Sequence, residues 1–81
     1  MIEERLQMII RNVLNMPELV LDVSTPAYTV PGWDSLKHVE ILLAIQDEYG
    51  VHFRPTEVIR LKNVGDLQNL VFKKINKTGI I

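Results

Sequence analysis

Gly32-Trp33-Asp34-Ser35-Leu36, together with the glycine- and proline-free run from Ser35 to Tyr49, decides how this chain is read. Pro31 and Gly32 signal a turn before the run and Gly50 a stop after it, so the spacing predicts a helix over 35–49. Asp34 and Ser35 are both residue types that cap helix N-termini, accepting hydrogen bonds from N–H groups the first turn leaves unpaired. The Ser35 hydroxyl is therefore expected beside the positive end of the helix dipole, a place suited to holding a phosphate.

This helix has more apolar positions than one buried face requires. Wound at about 100° per residue, Ile41, Leu42, Ile45 and Tyr49 form one stripe, with His38 alongside. Leu36, Val39 and Leu43 fall on a different side, flanked by Glu40, Gln46 and Asp47. The first stripe suits a core. The second, starting at Ser35 and edged by acids, reads as a surface for binding a partner.

Composition bounds the rest. The 81 residues are expected to form one small domain over 1–81, and 47% hydrophobic content argues for a folded globule. The absence of cysteine excludes disulfides, thiolate metal sites and cysteine nucleophiles. The longest apolar run, Ile41 to Ile45, is far too short to span a membrane, so no membrane insertion is expected. Glu3 and Glu4 precede any apolar run, which does not suit a signal peptide, and a cytoplasmic monomer is the expectation. Net charge is −1, with acids concentrated over 34–57 and bases over 60–77. Lys73, Lys74 and Lys77, with only Phe72 among them, make a solvated face and no nucleic-acid signature.

Along the chain, Ile2, Leu6, Ile9, Ile10, Val13 and Leu14 follow the helical apolar rule and predict a first helix over about 2–15, ended by Asn15 and Pro17. Residues 16–34 form a long connection, with Leu19, Val20, Leu21 and Val23 expected to pin it to the core and Trp33 to pack at the helix entrance. A loop of that length would let the first two long helices run nearly parallel. After Gly50, Val51-His52-Phe53 alternates as a short extended piece, and Pro55 opens a short helix over about 56–61, though Arg54 is a poor cap. Asn63 with Asp66 is a variant capping box that starts a last helix over about 64–75, with Leu67, Leu70, Val71 and Ile75 as its core stripe. Residues 76–81 read as a fraying tail. The sum is an all-α fold: a small four-helix bundle, three main helices and a short one, with a long loop between the first two.

Catalytic constellations are sparse. Ser35 and His38 are three residues apart, but a hydrolase would also need an orienting group and an oxyanion site, which nothing in the sequence supplies. Asp47 and Glu48 have no third ligand at metal spacing, so no metal is assigned. The chain reads as something acted upon, and not as an enzyme.

The order Gly32-Trp33-Asp34-Ser35-Leu36, then Val39-Glu40, then Asp47-Glu48-Tyr49-Gly50, resembles the acyl carrier proteins. The likeness continues through Val51-His52-Phe53, Ile59-Arg60-Leu61 and Asn63-Val64-Gly65-Asp66-Leu67, covering nearly the whole chain. It implies that Ser35, within Asp34-Ser35-Leu36, carries a covalent 4′-phosphopantetheine arm whose thiol holds acyl intermediates as thioesters. It also implies that Leu36, Val39, Glu40, Leu43 and Asp47 are read by partners: a phosphopantetheinyl transferase, and acyl-activating, synthase or acyltransferase enzymes. Ile41, Ile45 and Leu70 are then the residues expected to line the path of a carried chain into the bundle.

Three positions depart from the fatty-acid carriers of that family. Lys37 and Gln46 stand where acids are frequent, Asn63 where threonine is usual, and the chain is nearly neutral where those carriers are strongly acidic. The expectation is therefore a specialised lipid, polyketide or cell-surface pathway. Two alternatives stand beside it: an aminoacyl or peptidyl carrier, and a small helical adaptor without a prosthetic group.

Overall fold

The computed structural model describes residues 2–78, with side chains through Ile75. The element order is α1 (Glu4–Leu14), a single 3-10 turn (Ala27–Thr29), α2 (Ser35–Tyr49), α3 (Pro55–Val58) and α4 (Val64–Thr78). No strand forms among the described residues, so the architecture is all-α.

Each helix begins where a side chain can replace a missing backbone acceptor. Glu3 caps α1, its carboxylate accepting from the N–H groups of Arg5 and Leu6 at 3.1 Å each. The helix thus starts later than the apolar pattern alone indicates: Ile2 is a core residue outside it. At the other end Asn15 adopts the left-handed conformation (φ 56°), and Met16 N–H reaches Arg11 O at 2.9 Å to close the last turn. Helix α3 is shorter than expected. Its last i to i−4 bond runs from Ile59 N–H to Pro55 O, after which Leu61 N–H tightens onto Val58 O and the chain turns away. The weak Arg54 cap is compensated by Glu57, whose carboxylate accepts the Arg54 N–H at 2.8 Å. Helix α4 runs on to Thr78, so residues 76–78 are helical and not tail; 79–81 lie outside the described residues.

The core joins Leu6 and Ile10 of α1, Ile41, Leu42 and Ile45 of α2, and Val64, Leu67 and Val71 of α4, closed by Val51 and Phe53. Leu21, Val30 and Trp33 come in from the long connection, while Val20 and Val23, expected to pin it, lie exposed. What holds the connection there is largely hydrogen bonding. Leu21 N–H donates to Gln7 Oε1 at 2.7 Å, and Arg11 Nε to Leu19 O at 2.6 Å. Val64 and Gly65, at the start of α4, donate their N–H groups to Thr25 O and Val23 O at 2.8 and 2.9 Å. Asn63 Oδ1 takes the Asp66 N–H at 2.8 Å, so the first turn of α4 has its donors satisfied. The Asp66 carboxylate reaches back to Lys62 N–H, one residue before the position a standard capping box would use.

The first two helices run antiparallel, contrary to the expectation from loop length. The start of α1 meets the end of α2: Arg5 Nε donates to Glu48 Oε2 at 2.9 Å, its guanidinium lies 4.6 Å from the centre of the Tyr49 ring, and Tyr49 Oη donates to Glu3 Oε2 at 2.6 Å. The length of the connection is used to cross the start of α4, not to return to the start of α1. Burial pushes the Glu3 carboxyl up, but the hydrogen bonds from Tyr49, Leu6 and Arg5 outweigh it and hold it below the ordinary glutamate range. A carboxyl depressed in the folded state contributes stability that is present above its unfolded pKa and lost as pH falls through the folded one. Tyr49→Phe is therefore expected to shrink the acid-side loss of stability, read as the urea midpoint between pH 6 and about 3, a window spanning the ordinary carboxylate range. Superimposable pH curves for the two proteins would show that the Tyr49–Glu3 bond does not matter.

Candidate functional site

The entrance of α2 is built by four consecutive residues with different tasks. Gly32 turns the chain with φ 83°, a conformation glycine adopts without penalty. Trp33 buries its ring. Asp34 caps the helix, Oδ1 accepting the Lys37 N–H at 2.8 Å. Ser35, the first helical residue, is exposed. The N–H groups of Ser35 and Leu36 meet no acceptor among the described residues, so two donors and the helix dipole are open beside the Ser35 hydroxyl.

Ser35 opens onto a hollow of about 600 Å³ lined by Ala27, Tyr28, Trp33, Asp34, Ser35, His38 and Val39. A void of about 20 Å³ lies on the inner side of Ala27, Trp33 and His38, bounded by Leu61, Lys62, Asn63, Val64 and Leu67. Ile41 and Ile45 are fully buried in the core and line neither space. Leu70 borders a different, outer depression with Thr56, Glu57, Arg60 and Lys73.

The two stripes of α2 separate as the periodicity indicates. Ile41, Leu42 and Ile45 are buried, whereas Leu36, Val39 and Leu43 are 69%, 52% and 60% exposed. Glu40 and Asp47 are exposed beside them. Lys37 Nζ pairs with Glu40 Oε2 at 3.4 Å, which offsets part of the negative rim. Ile59, the residue that ends α3, is 82% exposed. Gln46 turns out to be structural: its Nε2 donates to Leu42 O and its Oε1 accepts the Phe53 N–H at 2.9 Å, fixing the segment after α2.

Two features escaped the sequence. Trp33 Nε1 donates to His38 Nδ1 at 3.0 Å, with the ring centroids 6.1 Å apart. Burial lowers the His38 pKa from the ordinary imidazole value. Tyr28, on the 3-10 turn, stands in solvent on the lip of the hollow. A tryptophan and a histidine five positions apart, one before the helix and one inside it, leave no periodic trace. No group of His, Asp or Glu among the described residues is arranged to hold a metal ion.

A family profile described as the phosphopantetheine attachment site matches residues 4–71. The chain belongs to that family of carrier proteins. Its fold is similar to the solution structure of a holo acyl carrier protein from Geobacter metallireducens, with a TM-score of 0.87 and 36% identity over 93% of this chain and 86% of that one. It is an acyl carrier protein with a 4′-phosphopantetheine prosthetic group, and such carriers are not themselves enzymes. Membership disposes of the adaptor without a prosthetic group and of the Ser35–His38 hydrolase. No helix among the described residues is long and apolar enough to cross a membrane.

Proposed function

We propose that Ser35 is the attachment point of the arm and that 1–81 acts as a single carrier domain. The observation that carries this is the exposed Ser35 hydroxyl at the first position of α2, beside two unaccepted N–H groups and above a hollow large enough for an extended polar chain. When bound, the arm supplies a thiol that the cysteine-free chain lacks, and acyl groups ride on it as thioesters. Asp34 fixes the turn that presents the hydroxyl. Leu36, Val39 and Leu43, edged by Glu40 and Asp47, give a transferase and the acyl-handling enzymes an apolar contact with acidic steering.

The charge pattern favours a specialised lipid, polyketide or cell-surface pathway, with the carrier acting as a cytoplasmic monomer. Net charge is −1, and the Lys37–Glu40 pair weakens the negative field where a strongly basic partner would dock. The inner void has room for about one water molecule, so a carried chain enters the bundle only if the Trp33–His38 wall and the start of α4 part.

Incubation with coenzyme A and a broad-specificity phosphopantetheinyl transferase is the test. The protein is expected to gain one arm, Ser24→Ala to gain one, and Ser35→Ala none. Ser24 is the useful control because it lies on the long connection, its hydroxyl donating to Asp22 Oδ2. Arm attachment to the Ser35→Ala protein would overturn the assignment.

A further inference from the structure

We infer that His38 is a positioning residue for the arm, donating its Nε2–H to the phosphodiester on Ser35. This rests on the assignment of Ser35 above. Trp33 Nε1 is a donor only, so the His38 Nδ1 that receives it at 3.0 Å carries no proton. Neutral His38 is thereby held as the tautomer protonated at Nε2. No acceptor for that Nε2–H is found among the described residues. His38 also lies three positions after Ser35, where side chains on a helix are neighbours, about 5–6 Å apart at Cβ. It lines the same hollow that Ser35 opens onto. A phosphodiester at Ser35 places anionic acceptor oxygens on that side of the helix, and the locked imidazole offers the donor without having to be charged.

The same lock makes the contact dependent on pH. A proton on Nδ1 and the bond from Trp33 exclude each other, so protonating His38 breaks the indole contact. The charged and titratable groups around it are Asp34 and Lys37 at the start of α2, Tyr28 on the connection and Lys62 before α4. Histidine is the side-chain class that changes charge near neutrality. The chain's other histidine, His52, follows the far end of α2, about 20 Å away along a fifteen-residue helix.

The test is the phosphorus resonance of the holo protein, made with coenzyme A and the transferase and checked by intact mass, followed from pH 4 to 8. A phosphodiester does not itself titrate there, so any inflection reports a neighbour. The wild type is expected to show an inflection as His38 titrates. His38→Gln, which donates but does not titrate, should keep the wild-type shift of high pH and lose the His38 inflection. His38→Phe should lose both. Trp33→Phe should move the inflection to higher pH, since the indole favours the neutral ring. At pH 8, nitrogen shifts of the imidazole should show Nδ1 unprotonated in apo and holo protein alike. Identical phosphorus shifts in wild type and His38→Phe, with mass confirming the arm on both, would overturn the role of His38. Failure of the wild type to take an arm would instead count against the assignment of Ser35.

Discussion

Ile45→Ala is expected to lower the unfolding free energy by about 2–5 kcal/mol, the usual cost of emptying a large buried side chain. Leu43→Ala, two residues earlier on the same helix, should change it by no more than about 0.5 kcal/mol. Ile45 has no exposed surface and belongs to the core that also holds residues of α1 and α4, whereas Leu43 is 60% exposed. The difference is a prediction about function as much as stability. A solvated leucine beside Val39 and Leu36 contributes little to folding, and under the proposed docking role its loss falls on loading instead. Val39→Ala and Leu43→Ala should accordingly slow loading by the transferase while leaving the urea midpoint near that of the wild type. Equal destabilisation by Leu43→Ala and Ile45→Ala would show that α2 does not have two separate faces.

Gly65→Ala is the second large effect, and its sign runs against helix propensity. Alanine in a helix is ordinarily favoured over glycine by about 1 kcal/mol. Here a Cβ on residue 65 would meet Val23 O at 2.6 Å and Val23 Cβ at 3.0 Å. The carbonyl cannot simply step aside, because it is also the acceptor of the Gly65 N–H at 2.9 Å. Overpacking of this kind costs about 1–3 kcal/mol, enough to outweigh the propensity gain. A domain of this size loses about 4–8 °C of melting temperature per kcal/mol, so the variant should melt measurably lower. Its long connection should also be cut by proteases at lower concentration, since the contact that is lost is the one tying 23–25 to α4. A variant that melts higher than wild type would show that the connection is free to move away from α4.

What the sequence made legible were the features carried by local chemistry. The Asp34 and Asn63 caps, the Gly50 stop and the two apolar stripes of α2 are each set by neighbours within a turn, and each is found where the spacing places it. The order around Asp34-Ser35-Leu36 carried the family, which the match over residues 4–71 establishes. What stayed hidden depends on residues far apart in the chain. Val20 and Val23 look like core residues from their apolarity, but their backbone, not their side chains, does the binding at 23–25. Gly65 was the available signal for that docking, a glycine placed where a helix begins, with no turn to account for it. The antiparallel pairing of α1 and α2 rests on Glu3, Arg5, Glu48 and Tyr49, four residues whose partners lie more than forty positions away. Gln46 reads from sequence as a flank of the outer stripe and a missing acid, yet its amide bridges α2 to Phe53. Trp33 was expected to pack at the helix entrance, and it does, but its bond to His38 has no signature in spacing.

Attachment of the arm to Ser35 is tested by the mass of the protein isolated from its own cell, followed by fragmentation to find the modified residue. One phosphopantetheine arm per chain is expected, located on Ser35, with any cargo released by hydroxylamine as a thioester would be. An arm on Ser24, or an unmodified chain in cells whose other carriers are loaded, would contradict it.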